Sequence, residues 1–195
     1  MSFAFTPTAL PEVPLIDPRC FDDDRGFFFE SWNAREFARA GLDLRFLQEG
    51  HSRSARRVIR GLHYQAEPAP MGKLVRCTAG RVFDVAVDLR VGSPRFGQWV
   101  GVELSAANRR LLYVPEGFAH GFQSLADGSE VQYKMTTFYT PAAEGALRWN
   151  DPDLAIAWPL PDPILSPRDA SAPAVRDYLA APAFRMPEAV APRSS

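Results

Sequence analysis

Three histidines, His51, His63 and His120, are the side chains here best suited to moving a proton near neutral pH. His63 lies in Arg60-Gly61-Leu62-His63-Tyr64-Gln65, and His120 in Pro115-Glu116-Gly117-Phe118-Ala119-His120-Gly121-Phe122. A lone histidine is by default a hydrogen-bonded structural residue. Either one becomes catalytic only where the fold brings other polar groups to it. Cys20 and Cys77 are the two cysteines. They make neither a disulfide framework nor a CxxC or Cys/His metal cluster.

The elements that must position these residues read mainly as strands. In Val82 to Leu89, the set Phe83, Val85, Val87, Leu89 alternates with Val82, Asp84, Ala86, Asp88. Lys73 to Cys77 precedes that run across Thr78-Ala79-Gly80, so the pair is expected to form a hairpin. Val100, Val102 and Leu104 alternate with Gly101 and Glu103, and Leu111 to Val114 and Val131 to Tyr139 read as further strands. Tyr133 and Tyr139 would then share a face. Turn signals separate the runs: Gly92-Ser93-Pro94, Ala107-Asn108, Pro115-Glu116-Gly117 and Asp127-Gly128. Helix signals are few. Asn33 to Glu36 has a capping-box pattern with Gly41 as a stop, and a short helix is expected over Ala174 to Ala181. Many evenly spaced strands predict a sandwich or barrel.

The length of 195 residues fits one domain with a sizeable core. We expect that domain over residues 1–181. Pro182 to Ser195, rich in Pro, Ala and Ser, reads as a loose tail. A net charge of -1 argues against a nucleic-acid binder. Met1 to Leu10 has no basic residue and no signal-like apolar run, and no stretch reaches membrane-span length. A cytoplasmic protein is expected.

Pro115-x-Gly117-x-x-His120 resembles the second motif of cupin barrels. Metal-binding cupins carry His-x-His and a following Glu in their first motif. Here the corresponding place reads His63-Tyr64-Gln65, with Gln replacing one ligand. A catalytic metal usually needs at least three protein ligands, so no metal is expected.

A closer resemblance is carried by an ordered set of motifs. These are Arg25-Gly26-x-Phe28-x-Glu30, Arg60-Gly61-Leu62-His63, Lys73-Leu74-Val75, Phe83-Asp84-Val85-x-Val87-Asp88-Leu89-Arg90, Gly92-Ser93-Pro94, Pro115-x-Gly117-Phe118-Ala119-His120-Gly121-Phe122, Trp149-Asn150-Asp151-Pro152 and Leu165-Ser166-x-Arg168-Asp169. Together, over about residues 10 to 175, they resemble the dTDP-4-dehydrorhamnose 3,5-epimerase family. The resemblance implies an all-β, cupin-like antiparallel barrel (jelly roll) with a few short helices, a homodimer, and no metal or organic cofactor. It also implies a dTDP-4-keto-6-deoxy sugar as substrate, inverted at C3 and C5.

Such chemistry needs a base for the proton beside the ketone, a donor for the enolate oxygen and an acid on the opposite face. By resemblance His63 is the base, Asp169 fixes its tautomer, Lys73 faces the enolate and Tyr133 is the acid. Arg25, Glu30, Gln48, Arg60, Lys73, His120, Glu144 and Arg168 would line the substrate site. Strict alternation puts Arg60 and His63 on opposite strand faces, so both serve one site only if Gly61 marks a bulge or if one of them acts indirectly. Arg25 and Glu30 also differ in parity, which points to strand exchange in the dimer. The family usually reads Gln-x-Asn where this chain reads Gln48-Glu49-Gly50, and Gly50 supplies no side-chain contact.

Competing readings are a C3-only or C5-only epimerase, a non-catalytic sugar-nucleotide-binding cupin and a metal-dependent cupin dioxygenase. Binding alone does not need His63, Lys73, Tyr133 and Asp169 together, and the missing His-x-His disfavours the dioxygenase.

Overall fold

The computed structural model describes residues 2–186. Thirteen strands follow in chain order: β1 (Phe3–Thr6), β2 (Leu15–Pro18), β3 (Phe21–Asp23), β4 (Gly26–Phe28), β5 (Gln48–Ser54), β6 (Ile59–Gln65), β7 (Lys73–Ala79), β8 (Arg81–Asp88), β9 (Trp99–Ser105), β10 (Leu111–Val114), β11 (Phe118–Ser124), β12 (Ser129–Met135) and β13 (Glu144–Ala146). Three short helices are α1 (Ala34–Arg39), α2 (Pro167–Ala170) and α3 (Val175–Ala180). Among the described residues no helix is long and apolar enough to cross a membrane.

One antiparallel sheet has the order β1-β2-β10-β7-β12-β5 and the other β13-β6-β11-β8-β9, while β3 and β4 form a separate ribbon. This is the expected all-β architecture. Val75, Cys77, Leu112, Val114 and Val131 of the first sheet meet Val82, Ala86, Leu104, Phe118 and Phe122 of the second in one buried cluster. The second sheet is buried on its outer face too: Val85, Val87, Leu89 and Ala119 pack against Leu147, Leu154, Ile156, Val175 and Tyr178. Both alternating sets of β8 are therefore covered, and Asp84 and Asp88 share the inner parity of Val82 and Ala86.

The expected hairpin of β7 and β8 does not form. β7 pairs with β10 and β12, and β8 with β9 and β11. The chain changes sheets at Gly80, so the two runs face each other across the core. Apolar alternation identifies a buried face but not the strand beside it, which is why a hairpin and a sheet corner look alike in sequence.

The strand expected from Val131 to Tyr139 ends at Met135. Tyr139 belongs to the following loop, and shared strand parity does not place it. Asn33 caps α1 as expected, accepting from Arg35 N and Glu36 N at 3.1 and 3.3 Å. Pro182 to Met186, read above as tail, include a docked stretch: Phe184 packs on the outer cluster, and Met186 N donates to Val91 O at 2.9 Å. The rest of that segment, 187–195, lies outside the described residues.

Candidate active site

A cavity of about 560 Å³ opens between the sheets at the end formed by β5, β6, β7, β11 and β12. That size suits a nucleotide-scale ligand. His63, Tyr133, Asp169, Lys73, Gln48, Arg60, His120, Glu144 and Arg168 all line it. The structure thus brings together nine residues that the sequence scatters over more than a hundred positions.

Arg60 and His63 reach one site because β6 is bulged. His120 opposes His63 and Phe122 opposes Arg60, so Gly61 and Leu62 together face Gly121 alone. The extra residue reverses the parity and turns both side chains inward. Glycine is required at the bulge: φ at Gly61 is +136°, and a Cβ there would lie 2.5 Å from Gly121 Cα. Arg60 is then held by its Nε donating to Ser54 Oγ at 3.1 Å and its guanidinium donating to Arg53 O at 3.1 Å.

His63 Nε2 donates to Asp169 Oδ1 at 2.6 Å, leaving Nδ1 for proton transfer. Asp169 is delivered by α2. Pro167 opens that turn and the Ser166 hydroxyl accepts from Asp169 N at 3.1 Å, so one residue serves both the helix start and the imidazole. Burial raises the Asp169 carboxyl, but the hydrogen bond and charge of His63 outweigh it and hold the group below its usual range.

Lys73 opens β7 and faces the same space. Desolvation pushes its ammonium down to about 8, against a partial restoring pull from Asp84 and then Glu144. Asp84 accepts from His120 Nε2 through both oxygens at 3.0 Å. Sequence reasoning missed Asp84 as part of the site. Its signal was present: a carboxylate in the inward, apolar-flanked parity of β8 must find a partner.

Glu144, Tyr139 and Arg168 form one cluster. Tyr139 Oη and an Arg168 guanidinium nitrogen each lie 2.7 Å from Glu144 Oε2. Burial raises Glu144, yet these bonds and the Arg168 charge prevail and hold it low. Gln48 Oε1 accepts from Tyr139 N at 2.8 Å, so it fixes the tyrosine's backbone. Gln65, standing where a metal-binding cupin has a ligand, is engaged with backbone. Its amide donates to Ala69 O and Phe138 O at 2.6 and 3.0 Å and its oxygen accepts from Thr140 N at 2.8 Å. It clamps the loop that carries Tyr139. Among the described residues no group of three or more His, Cys, Asp or Glu could hold a metal ion. Ser52 also lines the cavity, and its buried hydroxyl has no protein partner.

Arg25 and Glu30 are not brought to this cavity within the chain. Arg25 projects from the β3–β4 turn and pairs with Asp23 at 2.5 Å, and Glu30 accepts from Asn33 Nδ2 at 3.0 Å. The β3–β4 ribbon beside them exposes Phe21, Phe27 and Phe28.

Residues 7–177 match the family model described as dTDP-4-dehydrorhamnose 3,5-epimerase. The chain belongs to that family. The dTDP-4-dehydrorhamnose 3,5-epimerase of Pseudomonas aeruginosa is 57% identical over 174 residues, covering 88% of this chain and 96% of that one. The crystal structure of the Legionella pneumophila dTDP-6-deoxy-D-glucose-3,5-epimerase in complex with dTDP-4-keto-L-rhamnose superposes with a TM-score of 0.91 at 45% identity, covering 95% of this chain and 99% of that one. A 3'-monoepimerase from Streptomyces bikiniensis in complex with dTDP-quinovose gives a TM-score of 0.87 at 33% identity, covering 92% of each chain. Membership in the epimerase family accords with the barrel and with a cavity that combines the His63–Asp169 pair with Lys73, Arg60 and Arg168.

Proposed function

We propose that this epimerase acts on dTDP-4-keto-6-deoxyglucose at C3 and C5, giving dTDP-4-keto-L-rhamnose for dTDP-rhamnose synthesis. The observation that carries the reading is one cavity lined by the His63–Asp169 pair, Lys73 and Tyr133. His63 Nδ1 takes the proton from a carbon adjacent to the C4 ketone. The electron pair moves onto the ketone oxygen, where the Lys73 ammonium stabilises the enolate. Tyr133 then gives its phenolic proton to the opposite face, and the pair collapses back to the ketone. The tyrosinate regains a proton from water and His63 loses one to it, so the cycle is balanced and no redox partner enters. Arg60 and Arg168 supply planar donor forks for the pyrophosphate, with His120 and Gln48 as further contacts and Glu144 holding Arg168 in place.

The working unit in this reading is a cytoplasmic homodimer. The exposed phenylalanines of the β3–β4 ribbon favour a second copy against it. Arg25 and Glu30 then serve the neighbouring cavity. Incubation with dTDP-4-keto-6-deoxyglucose in deuterated water, followed by NMR, tests the function. Deuterium at both C3 and C5 with inversion is expected. Exchange at one carbon alone would make this a single-carbon epimerase, and no exchange at either would overturn the reading.

A further inference from the structure

We infer that Gln65 is a positioning residue for the phosphate-holding cluster: its amide clasps the loop that seats Tyr139, Glu144 and Arg168, and so fixes that cluster relative to the strand bearing His63. The inference rests on the reading of Arg168 as a donor to the pyrophosphate. Gln65 lies two positions beyond His63 on β6, and its register partner on β13 is Glu144. Alternation turns Gln65 to the cavity beside His63. Directly opposed residues project on one face, which sets Glu144 next to it. One side chain thus stands between the proposed base and the carboxylate that holds Arg168.

The loop needs such a clasp. Phe138 and Tyr139 are exposed, so apolar burial does not hold residues 136–140. Polar contacts do. Gln65 donates to Phe138 O at 3.0 Å and accepts from Thr140 N at 2.8 Å, while Gln48 accepts from Tyr139 N between them at 2.8 Å. Held in this way, Tyr139 donates its hydroxyl to Glu144, which also binds Arg168. The second amide proton of Gln65 goes to Ala69 O at 2.6 Å, in the connection that runs from β6 to Lys73. Both donors and the acceptor are therefore engaged, and the residue is 3% exposed.

The chemistry of the partners selects an amide. Two carbonyl oxygens call for two donors, and the Thr140 N–H calls for an acceptor. A neutral imidazole, the ligand type at this place in metal-binding cupins, has one donor and one acceptor. An ionised carboxylate has no donor at all.

The test is dTDP affinity by calorimetry, beside kcat and KM, for Gln65→Met, Arg168→Met and the double variant. Gln65→Met keeps the length of the side chain and removes the amide. It should weaken dTDP binding and raise KM roughly 10- to 100-fold, with a smaller change in kcat. In the Arg168→Met background the same substitution should cost much less, because the group being positioned is already gone. Wild-type dTDP affinity in Gln65→Met beside weakened binding in Arg168→Met would overturn the role of Gln65 alone. Equal losses in both backgrounds, or a fall in kcat with KM unchanged, would do the same. Wild-type affinity in Arg168→Met would instead remove the phosphate assignment on which the inference stands.

Gln65→Glu supplies a second readout should Gln65→Met fold poorly. The ionised carboxylate cannot donate to either carbonyl, so dTDP should bind more weakly than to the parent. As pH falls and the acid takes up its proton, it regains one donor, and affinity should recover relative to the parent. The recovery should vanish in an Arg168→Met background. A defect of constant size across pH would overturn the inference. So would a pH-dependent defect that persists without Arg168, because the new charge would then be repelling the pyrophosphate directly.

Discussion

Two His–Asp pairs stand side by side in this barrel and differ in almost everything but composition. His63 and His120 are register partners between β6 and β11. His63 bonds one oxygen of Asp169 at 2.6 Å, and its side chain keeps 26% of its surface exposed. His120 sits symmetrically on both oxygens of Asp84 at 3.0 Å with 8% exposed, and the Asp84 side chain is fully buried. Asp169 arrives from outside the sheets on α2, whereas Asp84 is built into the inner face of β8. A general base must reach a substrate carbon and return its proton to water. Both histidines line the cavity, and that of the first pair is the more exposed. The second offers a buried negative charge that also acts on Lys73. The same two residue types thus stand half-open to the cavity in one place and nearly closed off in the other, and under the proposed mechanism the more open pair is the base.

Replacing each histidine is the strongest way to break this comparison. His63→Ala should abolish exchange at both carbons, with a loss of about 10²–10⁴-fold. His120→Ala should act mainly by raising KM, with exchange still measurable. Steady-state kinetics beside deuterium incorporation separates the two, and equal losses of exchange in both variants would remove the distinction. A smaller effect is expected at the carboxylate. Asp169→Asn keeps the shape but removes the charge that stabilises the imidazolium. It should slow exchange by about 10- to 100-fold, the worth of one charge-assisted hydrogen bond. An unchanged exchange rate would mean that Asp169 serves α2 rather than His63.

The contrast between the pairs also marks what was legible in the sequence. Period-two alternation identified the β8 strand and its two side-chain sets, because side-chain direction is a local property; that both sets are covered came from the packing. The sheet partners of β7 were not legible, since pairing is decided by packing between distant segments. His63, Lys73, Tyr133 and Asp169 could be named from a resemblance, but that Arg60 joins His63 in one site depends on the bulge at Gly61, which alternation flagged only as a condition. Asp84 and Ser52 were not among the residues expected at the site. A buried acid between valine and alanine looks like a strand-edge charge until the opposite sheet is in view. A small hydroxyl carries no signal until its burial is known. Tyr139 came to the site through Gln48 and Glu144 in a loop, which no strand pattern encodes.

The smallest expected effect sharpens the role of the second pair. The Lys73 ammonium is pushed down to about 8 by desolvation, and the Asp84 charge pulls it partly back up. If the charged form faces the enolate, kcat/KM falls as pH rises through about 8. Asp84→Asn removes the restoring charge, so this limb should move to lower pH. Lys73→Arg keeps the positive charge and should move the limb upward or erase it. Unfolding does not account for the fall. With the folded value below the unfolded one, near 10.4, the unfolded chain holds the extra proton between the two. The Lys73 contribution to stability therefore rises with pH across that window. Melting temperatures taken beside the pH profile make this separation. A limb that stays in place in Asp84→Asn would show that the His120–Asp84 pair orders the barrel without tuning the lysine, and the two pairs would then differ in access alone.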